Sequence, residues 1–341
     1  MKKNVGTRSV SYPYRRFILL FSLPVLFISG SRGAWAQPAS DTLLAKGKTY
    51  FAAASFDTAF VVFSQLLEDT AGVNPDLYYY GITSAVQTAH MDQAFIWLGD
   101  YIQAVQAPQV SFYQLQYNLE AMYTDPRWPA YLLQMRQKLS GYDQDKGYDL
   151  ALKDSLDEIF YLDQRDRILI APYEKKYGDT STQMQQVWER IGRQDSINLA
   201  LLQHLWNRHG WLSKSRVGSA AVTQWVVIQH ADLAVQKKYL PLLKQAAAKG
   251  DIKKSSLALT IDRILSEEGK EQLYGSQLSR IKWQGSYRYV IDPIADPEHL
   301  DQRRKEMGMK PMADYARDFD IDWSLKNYKA DLEKLKRSSR P

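Results

Sequence analysis

From Asp41 to about Leu139, apolar residues recur in steps of three and four, the period of amphipathic helices. Polar breaks cut this stretch into pairs of helices. Leu43, Gly47, Tyr50, Ala59 and Phe63 mark one pair, and Tyr78, Ala85, Ala94 and Leu98 mark a weaker second. Ala59 and Ala94 are 35 residues apart, as are Phe63 and Leu98. Small residues let the two helices of a pair approach closely, and aromatic rings fill the space between them. Asp57 and Asp92 lie where each second helix begins and are expected to cap it. Residues 109–139, with Trp128 and Leu132, predict a degenerate third pair that closes the stack.

Residues 141–150, Gly-Tyr-Asp-Gln-Asp-Lys-Gly-Tyr-Asp-Leu, are polar and contain two glycines, which predicts a solvated link. Asp143, Asp145 and Asp149 alternate somewhat as in a calcium loop, but Gly147 is one place off and no Glu closes the frame. Helical periodicity resumes near Leu152 and runs to Leu265. It includes a helix over Met184–His209 and a long one after Gly218 that carries Trp225, His230, Asp232 and Tyr239. Pro241 should kink or restart that helix, Gly250 ends it, and Ser255 and Ser256 are placed to cap the next. Residues 277–291 alternate on either side of Gly285, the signature of a small β-hairpin. Two short helices follow, over Asp301–Met307 and Pro311–Phe319, and beyond about Asn327 a Lys-rich helix ends in a frayed tail. The fold class this predicts is mainly all-α: helical hairpins, then a helical-bundle domain with a small β-hairpin.

The spacing of the first helix pairs resembles tetratricopeptide repeats, whose period is about 34 residues. That resemblance implies a stacked surface for a protein or peptide partner. Tyr78-Tyr79-Tyr80 is a candidate recognition strip, although three consecutive helical residues point in three directions and packing explains them better.

Composition changes the picture in three ways. Residues 1–36 hold six Lys and Arg and no acid, so the remaining chain carries 38 basic against 38 acidic residues. A protein that reads nucleic acid normally has a cationic surplus, so no nucleic-acid partner is expected. The same 36 residues show a basic start, a 12-residue apolar run over Phe17–Ile28 interrupted by Pro24, and Ala34-Trp35-Ala36. This is the layout of a secretory signal cleaved after Ala36. The run is too short for the roughly 20 residues of a membrane span, and no later segment is apolar enough. The expected mature chain is exported to the periplasm or extracellular space. Cys is absent, which removes disulfides and thiol chemistry. The domain layout is therefore 1–36 signal, 37–140 repeats, 141–150 link, 151–325 helical domain and 326–341 charged tail.

One series of polar and turn residues in the second half is distinctive. It runs Asp163-Gln164, Arg167, Asp195, Asn198, Gly210-Trp211, Val217-Gly218, Gln229-His230-Ala231-Asp232, Leu240-Pro241 and Asp262-Arg263. It continues through Gln272, Tyr274-Gly275-Ser276-Gln277, Pro293-Ile294, Asp296-Pro297, Asp301 and Arg303-Arg304. In order and spacing the series resembles a bacterial domain of unknown function, family 6624, over roughly residues 150–320. Leu212 stands where the family pattern has Pro after Gly-Trp, and Ser276 where it has Thr. The resemblance implies a set of polar positions and no particular reaction.

Those positions supply the candidate chemistry. His230, Asp232 and Asp262 are the candidate catalytic residues, since a His–Asp contact would fix the imidazole for acid–base work. Arg263, Gln272, Tyr274 and Gln277 are candidate ligand-binding residues around the same pocket. The competing reading is a buried structural network that fixes the register of the bundle. No Gly-x-Ser-x-Gly elbow occurs. No metal site is expected, since His-Glu-x-x-His is missing and His204 and His209 diverge around a helix. No cofactor is indicated. Most aromatic residues lie at core spacing. Trp283, Tyr287 and Tyr289 of the hairpin are the exceptions, placed for a stacking platform or a lid. The sequence thus points to a binding or interaction module with a candidate protein or peptide partner and a candidate small polar ligand. The alternative is a cysteine-free hydrolase or transferase built on His230, Asp232, Asp262 and Arg263.

Overall fold

The computed structural model describes residues 38–69 and 74–338, so the expected signal segment lies outside the described residues. The described chain is mainly helical with one two-stranded sheet, as the periodicity predicts. It forms two compact units, residues 38–227 and 228–338, with the division falling inside a helix. No helix among the described residues is long and apolar enough to cross a membrane.

The first unit opens with four antiparallel neighbours, α1 (Pro38–Ala52), α2 (Phe56–Asp69), α3 (Pro75–Gln87) and α4 (Met91–Ala104). Their closest approaches are made by glycine. A Cβ on Gly47 would lie 2.8 Å from Phe63, and one on Gly81, 34 positions later, 2.7 Å from Leu67. Ala59, Ala94 and Leu98 are fully buried at the same crossings. Asp57 and Asp92 sit in the first turns of α2 and α4 rather than at the caps. There they favour the helix dipole, and Asp92 also takes Arg127 Nη1 at 2.6 Å. The three consecutive tyrosines pack internally: Tyr78 on Tyr101, Tyr79 on Phe112 and Tyr80 stacked on Phe63. In place of a regular third pair come α5 (Val110–Gln114), α6 (Glu120–Tyr123) and the long α7 (Trp128–Asp145).

Residues 141–150 are only in part a link, with the turn confined to residues 146–149. The first five complete α7, and Asp149 caps α8 (Leu150–Gln164) through Leu152 N. Lys153, 3% exposed, bonds Asp143 at 2.9 Å and Asp157 at 2.6 Å, so Asp143 is taken into a largely enclosed ion triad while Gln144, Asp145 and Lys146 stay exposed. The unit continues through α9 (Ile170–Tyr177), α10 (Thr182–His209), α11 (Lys214–Val217) and the start of α12 (Val222–His230). The turn after α10 is held by Gln224. Its Oε1 accepts from Leu212 N and Trp206 Nε1, and its Nε2 donates to Leu212 O. Leu212 therefore supplies an amide proton that proline could not.

In the second unit, α13 (Leu233–Lys249) packs on α14 (Lys254–Glu267). The long helix expected through His230 and Asp232 is two helices. Asp232 bonds Val235 N at 2.8 Å and starts α13, since a short carboxylate competes for backbone N–H groups. Pro241 neither ends nor restarts α13, whose burial of Gln236, Leu243, Ala246 and Ala247 spans it. Lys253, not a serine, occupies the N-cap of α14. Strands β1 (Leu278–Trp283) and β2 (Ser286–Ile291) pair antiparallel across Gln284-Gly285, both at positive φ, the geometry of a two-residue hairpin turn. Then come α15 (Leu300–Glu306), α16 (Met312–Arg317) and α17 (Leu325–Ser338). The expected Lys-rich helix is α17, and it packs on the hairpin. Tyr328, 4% exposed, accepts Ile294 N at 2.6 Å, and Asp331 takes Arg288 at 3.2 Å.

Buried tyrosines make both units sensitive to alkali. Burial pushes Tyr79, Tyr101 and Tyr328 from 10.0 up to about 12. A folded-state pKa above the unfolded one contributes stability that is complete below about pH 10 and is lost as pH rises toward 12. Absorbance at 295 nm and circular dichroism, titrated together, should show part of the tyrosine ionisation coinciding with unfolding. Ionisation of every tyrosine near pH 10 with the fold intact would contradict this.

Candidate functional site

Asp262 and Arg263 are consecutive on α14, and about 100° of helix separates their directions. They accordingly serve different sites. Asp262 is fully buried, and all its hydrogen bonds come from the loop before the hairpin. Leu273 N donates to it at 2.7 Å, Tyr274 N at 3.0 Å, Ser276 N at 3.0 Å and Ser276 Oγ at 2.8 Å. The expected contact between His230 and Asp262 is therefore absent. Burial pushes the Asp262 carboxyl up, while the hydrogen bonds from these three residues pull it down.

Gln272, Tyr274 and Gln277 belong to the same knot. Gln272 Nε2 donates to the carbonyls of Gln277 and Asp292, and its Oε1 accepts from Gln277 N at 2.8 Å. Gln277 Nε2 donates to Ser276 Oγ. Arg303 donates to the carbonyls of Leu273 and Ala295, and the buried Arg304 to those of Tyr274 and Lys310. Gly275, at φ +66°, leaves no room for a Cβ, which would lie 3.1 Å from Ile294 and Met312. These side chains mostly face backbone groups, and they lock loop, hairpin and closing helices together.

Arg263 instead reaches the turn between α12 and α13. Its Nη1 donates to Gln229 O at 3.0 Å. Gln236 Nε2 donates to Gln229 O and to Ala231 O, and Thr260 Oγ1 to Gln229 Oε1 at 2.6 Å. Gln229, Gln236 and Thr260 are fully buried. Gln229 Nε2 and Gln236 Oε1, both side-chain atoms of this group, have no hydrogen-bond partner among the described residues. His230, half-buried, and Asp232, exposed, flank Ala231 on the same turn. Glu267 completes the group: burial pushes its carboxyl up, Arg263 pulls it down and Asp232 adds to the rise. Of the seven candidate residues, the structure groups His230, Asp232 and Arg263 on this turn and leaves Asp262, Gln272, Tyr274 and Gln277 in the knot.

A further polar cluster lies in the first unit. Arg167 donates to Asp163 O at 2.6 Å and grips both oxygens of Asp195 at 2.8 and 2.9 Å. Gln164 Nε2 donates to Asp163 Oδ2, and Gln194 Nε2 to Asn198 Oδ1. Asp163 and Asn198 are almost or fully buried, and the two carboxylates approach within 4.8 Å. These residues are in the sequence series but were not candidates for a site. The available signal was the fourfold spacing of Asp163 to Arg167 and Gln194 to Asn198, which puts each pair on one helix face.

Residues 160–328 match the family of unknown function DUF6624. No curated protein and no solved structure matches the chain. The DUF6624 stretch contains the knot, the His230 turn and the Asp163 cluster, and it ends at Tyr328, which anchors α17. The helix pairs of residues 38–145 lie outside it. Ser276, where the family pattern has Thr, still places a hydroxyl on Asp262. In the hairpin, Tyr289 packs on Phe319, and Arg280 lies over the Tyr287 ring at 4.2 Å.

Proposed function

We propose that the chain is an exported cell-envelope protein that acts by binding. In this reading, a tetratricopeptide-like stack docks a protein or peptide partner, and the His230 turn takes a small polar ligand. The observation that carries the ligand reading is the unmatched amide pair, Gln229 Nε2 and Gln236 Oε1, enclosed beside Arg263. Each such group costs about 1–3 kcal/mol when buried alone. A neutral ligand with one acceptor and one donor, a carboxamide or hydroxyl, relieves both as the turn opens. Catalysis by a His–Asp pair is the weaker reading, because Asp232 caps α13 and Asp262 is filled by the loop. The 34-residue step from Gly47 to Gly81 supports the repeat reading. The basic start, apolar run and Ala34-Trp35-Ala36 support export.

Two measurements test this. A fusion of residues 1–60 to a phosphatase active only outside the cytoplasm should be active and processed to begin at Gln37; an unprocessed, inactive fusion rejects export. Thermal shift of residues 37–341 against sugars, amino-acid amides and divalent metals should find a neutral compound that raises the midpoint by about 2 °C or more. Gln236→Met should abolish that shift. If Gln236→Met is instead more stable than the wild type and no compound shifts either protein, the amides are structural.

A further inference from the structure

The second helix of each early pair carries a repeated exposed face. On α2 it reads Asp57, Val61, Gln65, Glu68, and on α4 Asp92, Ile96, Asp100, Gln103, each residue 35 positions from its counterpart. The steps of four, four and three place each set on one side of its helix. All eight are exposed, with Val61 at 56% and Ile96 at 54%. Leu133 on α7, at 55%, is a third exposed aliphatic, outside the 35-residue register. These three helices are neighbours: Phe60 of α2 lies 5.6 Å from Trp97 of α4, and Phe95 of α4 lies 5.1 Å from Tyr131 of α7. A single exposed aliphatic side chain needs no explanation. An exposed β-branched aliphatic at one register of two neighbouring helices, preceded in each by an Asp and followed by one further acid, Glu68 in α2 and Asp100 in α4, forms a strip.

Charge identifies what fits the strip. Residues 38–145 carry five Lys and Arg against eleven Asp and Glu. Asp92 is paired with Arg127, but Asp57, Glu68 and Asp100 have no ion pair among the described residues. An aliphatic row bordered by unneutralised carboxylates complements a helix with a basic rim and an apolar stripe, the groove mode of peptide recognition.

We propose that the outer face of α2, α4 and α7 docks a cationic amphipathic helix of a partner protein, with Val61, Ile96 and Leu133 as the apolar contacts and Asp57, Glu68 and Asp100 as the counter-charges. This rests on the docking half of the reading above and names its partner's chemistry.

The probe is a fluorescein-labelled 15-residue Leu/Lys amphipathic peptide, read by anisotropy against residues 37–341, with a Leu/Glu peptide as control. The Leu/Lys peptide should bind, and Val61→Ser with Ile96→Ser should weaken it by about tenfold or more, with an unchanged melting midpoint. Neutralising Asp57, Glu68 and Asp100 with amides should weaken it and flatten its dependence on salt. Leu201→Ser, at a 45% exposed site on α10, should leave binding unchanged. Equal loss with Leu201→Ser, no loss with the Val61/Ile96 variant, or equal binding of the Leu/Glu peptide overturns the proposal. So does a wild-type dimer, by light scattering, that Ile96→Ser converts to monomer, since a second copy then covers the face. If only this fails while a compound still shifts the midpoint through Gln236, the ligand half of the reading stands.

Discussion

Replacing Asp262 with Ala is expected to cost the second unit about 3–5 kcal/mol, the penalty for breaking a buried, charge-assisted hydrogen-bond set. The carboxylate is the common acceptor for Leu273 N, Tyr274 N, Ser276 N and Ser276 Oγ. Alanine leaves four buried donors unanswered in a loop that also fixes Gln272, Arg303 and Arg304. Amide exchange should reveal this as lost protection at Leu273, Tyr274 and Ser276, together with a lower melting midpoint. Asp262→Asn keeps one acceptor but turns an NH2 toward donors, so it should recover only part of the loss. A variant that keeps those amides protected and melts within a degree or so of the wild type would show that water can replace the carboxylate.

The second large effect is expected at Lys153. Its ammonium lies between Asp143 and Asp157, with Lys153 and Asp143 both almost fully enclosed. Asp157 and Asp143 hold the Lys153 pKa above its ordinary value against the opposing effect of burial. That contribution is complete below about pH 10.5 and fades as pH rises through the folded-state value. Lys153→Met keeps the stem volume but removes the charge, leaving two carboxylates facing each other. A loss of about 3–5 kcal/mol is expected at pH 7. The variant should regain stability as pH falls, because protonating either carboxylate removes the repulsion, whereas the wild type should not. Urea unfolding at pH 5 and pH 7 separates the two. A variant equally destabilised at both would place the loss in packing instead of charge. Adding Asp143→Leu to Lys153→Met should restore most of the stability.

Arg263 shows how much of the candidate site was legible. Its sequence neighbourhood marked a polar position on a helix, and the structure gives it the Gln229 carbonyl, on the turn that bears His230. Asp262, one residue earlier, was assigned to the same pocket. One helical step turned it toward another loop. The break between His230 and Asp232 was missed because the apolar period continues across it, and only the bond from Val235 N to Asp232 ends one helix and starts the next. The polar stretch over 141–150 misled in part for a related reason: composition reports that Asp143 is charged, not that Lys153 brings its carboxylate inside.

The sequence by itself determined the helical periods, the hairpin about Gly285, the close approaches at Gly47 and the identity of the unusual polar residues. These are local properties, set by spacing along the chain and by backbone freedom at single positions. Only the tertiary structure decided which polar groups meet. It sent Asp262 to the donors of the loop before the hairpin, left Gln229 and Gln236 with an unmatched amide pair, and packed the expected Lys-rich helix on the hairpin. Hydrogen-bond pairing depends on directions and distances between elements far apart in the chain, and a periodic pattern holds no record of either.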